Sequence, residues 1–125
     1  MRPGTAALRA PGAFGDEELL ALVQRSYGSA RGTIIAGDFN TLDVEPLYRG
    51  ITGSFLDVFA TAGTGRGATF PSLVALPPWP VLRLDYVFTS PKILPLAAER
   101  LAQGGSDHVG IWARLSIPAG PLRRQ

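Results

Sequence analysis

The sequence predicts one globular domain of the α/β (α+β) class. The chain has 125 residues, of which 46% are hydrophobic, and this length suits the core of one domain but not of two. Apolar residues recur at helical spacing after Asp16, whereas two segments near Tyr86 and Ile111 alternate apolar and polar residues in the manner of strands. The domain is predicted over residues 16–118, between an irregular Ala-, Gly- and Pro-rich leader at 1–15 and a tail at 119–125.

The first predicted element is a helix that follows the leader. Asp16 can cap it, and the acidic first turn that follows favours the positive end of a helix dipole. Gly28 marks its exit. The predicted buried stripe consists of Leu19, Leu20, Val23 and Tyr27.

A strand is predicted next, at residues 33–36. The β-branched run Thr-Ile-Ile-Ala ends at Gly37 and is typical of a strand that is buried on both faces. Asp38 and Asn40 should therefore emerge at its carboxyl end.

The middle of the chain predicts short elements separated by breaks. Residues 42–49 and 54–60 have apolar side chains at helical spacing, and the glycines of 63–67 interrupt the pattern. A brief strand is predicted at 68–70. The loop that follows contains Pro71, Pro77, Pro78 and Pro80.

Three extended segments complete the prediction. In the strand at 82–89, Leu82, Leu84, Tyr86 and Phe88 share one face, and Arg83, Asp85, Val87 and Thr89 share the other. Asp85 should therefore point away from the apolar face. A weaker extended segment is predicted at 93–101, and a last alternating strand at 109–117.

Composition narrows the possible partners. The chain has no cysteine, so disulfides and thiolate metal sites are excluded. The net charge is only +2 and the basic residues are scattered, which is a weak signal for nucleic acid. No apolar run approaches the roughly 20 residues of a membrane helix, and the N-terminus lacks the pattern of a secretory signal. Composition does not indicate a compartment.

Asp38 and Asn40 are the first candidates for a functional site. Ligands of open α/β sheets bind beyond the carboxyl ends of strands, where both residues are predicted to lie. The acid can orient a water molecule or hold a cation, and the amide can donate to a phosphate oxygen. The alternative is that either side chain only ends the strand with a local turn.

The second group of candidates is Asp85 with the neighbours Asp107 and His108, the only histidine. Adjacent residues cannot fold into a serine–histidine–aspartate triad, so Ser106 does not indicate a serine hydrolase. Asp107 can instead supply an oxygen ligand to Mg²⁺ or Mn²⁺ while His108 faces a phosphate. Asp85 can accept a hydrogen bond from the imidazole and fix its tautomer. A lone histidine can also be purely structural.

Three ordered motifs then carry a family resemblance: Gly-Asp-Phe-Asn at 37–40, Arg-Leu-Asp-Tyr-Val-Phe at 83–88 and Ser-Asp-His-Val-Gly at 106–110. They resemble the C-terminal motifs of the endonuclease/exonuclease/phosphatase superfamily, which includes deoxyribonuclease I-like nucleases, abasic-site endonucleases, sphingomyelinases and inositol polyphosphate 5-phosphatases. The resemblance extends from residue 33 to about 117. It implies half of a four-layer α/β/β/α sandwich, with a mixed, mostly antiparallel sheet and flanking helices.

The resemblance also implies residue roles in a metal-dependent phosphodiesterase, nuclease or phosphatase. Asp38 would position or deprotonate water, Asn40 would contact the phosphate, and Asp85 would orient His108, which stabilises the phosphorane-like charge. Asp107, with Asp38 and Asn40, would bind Mg²⁺ or Mn²⁺. The substrate would be nucleic acid, phospholipid or inositol phosphate.

The superfamily draws further metal ligands from an N-terminal half that this sequence does not contain. The chain therefore resembles an N-terminally truncated enzyme, whose apolar sheet face would favour the missing half or self-association as partner. The alternative is a catalytically silent half domain that acts as a binding or interaction fragment.

A dinucleotide-binding module is the remaining alternative. Residues 63–68 match the Gly-x-Gly-x-x-Ala spacing of a dinucleotide loop. Such a loop must open a helix, yet these residues lead into a short strand and a proline cluster. A turn that joins a helix to a strand explains them better.

Overall fold

The computed structural model describes residues 15–71, 80, 82–102 and 104–119. Most of the predicted leader and tail, and the proline-rich loop at 72–79, lie outside the described residues. In chain order, the elements are α1 (Asp16–Arg25), β1 (Ile34–Asp38), α2 (Pro46–Thr52), β2 (Leu56–Asp57), α3 (Val58–Ala62), β3 (Asp85–Thr89), β4 (Leu94–Arg100) and β5 (Ile111–Ser116). Within this part of the chain, no helix has the length and apolarity needed to cross a membrane.

The strands form two antiparallel sheets. In the first sheet β3 is central, with β1 on one side and β2 on the other. The second consists of β4 and β5, with an irregularity between Pro95 and Ala97. The predicted α/β class with antiparallel sheets and flanking helices is confirmed. In the first sheet, Asp38 of β1 is the direct cross-strand partner of Asp85 of β3.

The main core lies between one face of β1 and β3 and the helices α1 and α2. Its buried side chains are Val23, Ile35, Phe39, Leu47, Ile51, Phe55, Tyr86 and Phe88. Because the helices cover only one face, β1 alternates between buried Ile35 and Ile34, which is 44% exposed. The prediction that this strand is buried on both faces is therefore wrong.

A second, smaller cluster connects α3 with the β4–β5 sheet. It consists of Val58, Phe59 and Ala98, with Val87 and Ile111 among the partly buried side chains around it. Other large apolar side chains of this sheet, including Leu94, Leu96 and Trp112, are exposed. Self-association through apolar surface stays a prediction.

Helix α1 follows the predicted boundaries closely, with two differences. Its N-cap is Gly15 rather than Asp16, and its last residue is Arg25 rather than the residue before Gly28. Tyr27 therefore lies in the turn after the helix, where it is 43% exposed and its ring meets Phe55 edge-on. Its predicted burial in the helix stripe is wrong.

The helices predicted at 42–49 and 54–60 both differ in their boundaries from the observed elements. Helix α2 begins at Pro46, because proline is well suited to the first turn, where its missing N–H is not needed. The second segment divides at Asp57, which ends β2 and caps α3 by accepting a hydrogen bond from Ala60 N. A capping aspartate stops the helix from extending backwards to residue 54.

The strands around residue 70 and at 82–89 are shorter than predicted. Phe70 and Leu82 form only an isolated antiparallel bridge, and the regular strand begins at Asp85. Arg83, which was placed on the polar face, is buried, with 3% of its surface exposed. The strands predicted at 93–101 and 109–117 are confirmed as β4 and β5.

Arg83 is buried because it forms an ion pair with Asp57. Its two terminal nitrogens donate to the two carboxylate oxygens of Asp57, a bidentate geometry. The guanidinium also lies over the ring of Tyr86, 4.7 Å from the centroid. Tyr48 completes the network, since its hydroxyl donates to Asp57 Oδ2 at 2.6 Å.

This network predicts a loss of stability in alkali. Burial, followed by the hydrogen bond to Asp57 and the charge of Asp57, raises the pKa of Tyr48 to about 12. A group whose pKa is raised on folding contributes stability that is complete below its unfolded pKa, near 10, and is lost as the pH rises through the folded value. The stability difference between wild type and Tyr48→Phe should therefore be constant below pH 10 and shrink between pH 10 and 12. Urea unfolding at several pH values measures it. A difference that grows above pH 10 would contradict the expectation.

Candidate active site

Two aspartates meet at one end of the first sheet. Asp38 is the last residue of β1 and Asp85 the first of β3, and the two are paired across the strands. Directly opposed side chains on neighbouring strands lie close together on the same face, and like charges there repel. A positive charge between the two carboxylates therefore stabilises the pair.

His108 supplies this compensation. Its Nδ1 lies 2.6 Å from Asp85 Oδ2, and its Nε2 lies 3.8 Å from Asp38 Oδ2. The predicted contact between Asp85 and the imidazole is thus present. The ring also packs against Phe70, with centroids 4.9 Å apart, and the backbone N–H of His108 donates to Ser106 Oγ. These contacts hold the imidazole between the two carboxylates.

The surroundings of His108 favour its charged form. Burial of the ring lowers its pKa, but the hydrogen bond to Asp85 and the negative charges of Asp85, Asp38 and Asp107 together outweigh it, so the pKa of His108 is raised above its ordinary value. A protonated imidazole donates from both nitrogens. Its Nε2 is then a cationic donor that faces the Asp38 carboxylate.

Asp38 and Asn40 form a local turn at the end of β1. The backbone N–H of Asn40 donates to Asp38 Oδ1 at 2.8 Å, and Asn40 has a left-handed conformation with φ of 48°. This is the side-chain turn that the sequence left open as an alternative. The turn uses only one carboxylate oxygen, and Oδ2 of Asp38 is the atom that faces His108.

Asp107 is not brought into this group. Among the described residues, the acids and histidine that gather closely are Asp38, Asp85 and His108, whose ligand atoms lie within 4.8 Å of one another. The side chain of Asp107 is exposed, although its charge reaches His108. Its role as a metal ligand stays a prediction. Asp38 and Asp85 provide the carboxylate oxygens that Mg²⁺ and Mn²⁺ prefer, so the donors that are present fit a hard cation.

A cavity of about 390 Å³ adjoins the imidazole. Its walls come from β1, β3, the 106–110 segment and the start of β5, and the lining includes Ala36, Gly37, Asp85, Val87, Ser106, His108, Val109 and Ile111. Apart from Asp85, Ser106 and His108, these side chains are small or apolar. Asp85 and His108 are therefore the lining residues that can pair with a charged group.

Thr69 is a site residue that sequence reasoning did not identify. It is fully buried, and its Oγ1 accepts from the backbone N–H groups of Leu84 and Asp85, at 3.2 and 3.3 Å. Its carbonyl accepts from Val109 N at 2.8 Å. One threonine therefore connects the backbone that carries Asp85 with the backbone next to His108. No local pattern distinguishes such a threonine from an ordinary strand residue.

Replacement of Thr69 by valine should test this connection. Valine has nearly the same shape but leaves two backbone N–H groups without their acceptor, so we expect a loss of about 1–3 kcal/mol in the free energy of unfolding. Urea denaturation measures the loss. The matched control is Thr61→Val, because Thr61 is exposed and makes one local hydrogen bond to Asp57 O. Equal effects of the two substitutions would show that Thr69 has no special role.

Comparison with solved structures shows which proteins have a similar fold. An endonuclease/exonuclease/phosphatase protein from Bacteroides vulgatus is 26% identical, with a TM-score of 0.71 over 82% of this chain and 44% of its own. A conserved protein of unknown function from Enterococcus faecalis is 23% identical, with a TM-score of 0.63 over 82% and 41%. A mannosyl-6-phosphatase from Bacteroides thetaiotaomicron is 20% identical, with a TM-score of 0.64 over 81% and 45%.

The chain thus spans less than half the length of these similar structures. No protein of curated function matches it. A sequence profile of the Endonuclease/Exonuclease/phosphatase family matches residues 1–108. Endonucleases, exonucleases and phosphatases hydrolyse phosphate esters, and this family is generally metal-dependent. The match therefore supports the prediction of phosphate-ester hydrolysis at this coarse level. From the fold, the three motifs and the extent of this match, we conclude that the chain belongs to the Endonuclease/Exonuclease/phosphatase family.

Proposed function

We propose that this chain carries the histidine–aspartate centre of a metal-dependent phosphoric-ester hydrolase. One observation supports the proposal above the others. The imidazole of His108 is hydrogen-bonded to Asp85 through Nδ1 and presents Nε2 to a second carboxylate, that of Asp38. A cationic ring donor held in place by one acid can stabilise the negative charge that develops on a phosphate during reaction.

The residues divide the chemistry between them. Asp38 positions the attacking water and accepts its proton, since its Oδ2 faces His108 and is not used by the turn at Asn40. Protonated His108 donates to a phosphoryl oxygen and stabilises the charge that develops there, while Asp85 fixes the orientation of the ring through Nδ1. Asn40 contacts the phosphate. A hard divalent cation at the Asp38 carboxylate, with Asp107 and Asn40 as the further ligands that the resemblance implies, would neutralise further charge on the ester.

The alternative is a binding or interaction fragment without turnover. The exposed position of Asp107 favours it, because the closely grouped donors include only two carboxylates, and Mg²⁺ usually requires six ligands, several of them water. The proposal and the alternative predict different results from the same purified chain.

The experiment measures hydrolysis of two chromogenic esters by the full chain. p-Nitrophenyl phosphate reports on phosphomonoesters, such as those of sugars, and bis-p-nitrophenyl phosphate reports on diesters, such as those of nucleic acids. We expect turnover with Mg²⁺ or Mn²⁺ that stops on chelation and is lost in Asp85→Asn. Asp16→Asn is the matched control, because Asp16 is exposed at the start of α1. A folded chain that hydrolyses neither ester would favour the binding fragment.

A further inference from the structure

The glycine-rich turn at 63–67, which the proposed active site does not use, is a fixed loop with an open tip. Its base is held on Phe59: Gly63 N donates to Phe59 O at 2.8 Å, and a Cβ on Gly67, where φ is +71°, would lie 2.6 Å from the Phe59 ring. Its tip is different. Gly65 has φ of +81°, and a Cβ there would meet nothing within 4 Å. The tip therefore offers free space directly above the backbone.

Two arginines adjoin this space. A cavity of about 290 Å³ is lined by the loop, by Arg66 within it and by Arg100 at the end of β4. Arg100 Nη1 donates to the carbonyl of Ala68 at 3.2 Å, which keeps this side chain beside the loop. No acid in the described ranges lies within ion-pair distance of either arginine. Both positive charges are therefore available to a ligand.

The backbone of the tip adds further donors. Among hydrogen bonds between described residues, none uses the backbone N–H groups of Gly65, Arg66 or Gly67. Successive N–H groups in a loop with left-handed residues can form a concave site for an anion. Two arginines and a row of amides are the donors that a phosphate oxygen atom prefers.

We propose that Arg66 and Arg100, together with the backbone of residues 65–67, bind a phosphate group. The phosphate is either inorganic phosphate or a second phosphate group of the substrate. Its cavity shares no lining residue with the cavity beside His108, and the site does not depend on the proposed activity. It also differs from a dinucleotide loop, because the residues after it form the bridge at Phe70 rather than a helix.

The test is a titration of the full chain with inorganic phosphate, followed by two-dimensional amide NMR, with sodium chloride at equal ionic strength as reference. We expect saturable shifts at the amides of residues 65–67. Arg66→Gln should weaken the affinity about tenfold, as for one lost charged contact, and Arg31→Gln, an exposed arginine outside the cavity, should leave it unchanged. Because Arg100 also holds the loop, Arg100→Lys is used beside Arg100→Gln, and lysine should retain part of the affinity.

Two further ligands distinguish the sources of the phosphate. Fructose 6-phosphate carries one phosphate and fructose 1,6-bisphosphate carries two. Tighter binding of the bisphosphate, with shifts at both the loop and His108, would assign the site to a second phosphate of the substrate, an outcome that rests on the proposed function. Equal binding of both, with shifts at the loop alone, would assign it to free phosphate. Absence of shifts at 65–67, or equal affinity in Arg66→Gln and wild type, would overturn the site.

Discussion

Replacing Asp57 by alanine is expected to lower the free energy of unfolding by about 3–5 kcal/mol. Asp57 and Arg83 are both buried and paired through two hydrogen bonds. Removing the carboxylate leaves the guanidinium as an uncompensated charge beside the rings of Tyr86 and Phe59. It also removes the acceptor of the Tyr48 hydroxyl. Since whole domains are stable by only about 5–15 kcal/mol, this change should leave a marginally folded chain.

The double variant Asp57→Ala with Arg83→Met separates this cause from simple loss of contacts. With both charges removed, no buried ion remains unpaired, so the double variant should be more stable than Asp57→Ala alone. Asp57 also caps α3 by accepting a hydrogen bond from Ala60 N. The cap contributes about 0.5–2 kcal/mol to the free energy of unfolding, and the double variant should not regain this contribution. Chemical denaturation of wild type, Asp57→Ala, Arg83→Met and the double variant gives the coupling energy between the two substitutions. If the two substitutions are simply additive, the ion pair is not the source of the effect.

Replacing His108 by glutamine should reduce the rate of ester hydrolysis by about 10²–10⁴-fold. Glutamine keeps a neutral donor of similar reach but cannot carry the positive charge that Asp38 and Asp85 favour. The loss should appear mainly in kcat, because the charge matters most when the phosphoryl group becomes more negative. Steady-state kinetics on the chromogenic esters measure it.

Asp85→Asn provides the comparison for His108→Gln. Asparagine preserves the size of the side chain, but it removes the negative charge that raises the pKa of His108 and orients the ring. Thermal unfolding must show that both variants are folded. A His108→Gln variant with the wild-type rate would exclude the imidazole from the reaction, whatever the effect of Asp85→Asn.

The elements that local patterns control were predicted well. Alternation in 109–117 and the apolar spacing of α1 identified both elements. The β-branched run at 33–36 identified β1, although the strand continues through Gly37 to Asp38. The polar-face position of Asp85 also anticipated its contact with His108. These predictions succeeded because each depends on residues that are close together in the sequence.

The errors concern contacts between distant segments. The burial of Arg83 depends on Asp57, 26 residues earlier, and the role of Thr69 depends on Asp85 and Val109. The exposure of Ile34 depends on which sheet face the helices cover, which alternation alone cannot decide. The division at Asp57 is different, because an aspartate before an apolar run is a local capping signal that could have been used.

The pairing of β1 with β3 has a consequence for how such a chain can vary. Because side chains alternate along a strand, a slip of one residue would turn one of the two acids to the opposite surface. The alignment of five residue pairs from Ile34–Thr89 to Asp38–Asp85 fixes both acids at once. Loops between the two strands that contact neither these acids nor Thr69 can therefore gain or lose length without displacing the acids. Insertions there can change what is recognised while the reacting groups keep their positions.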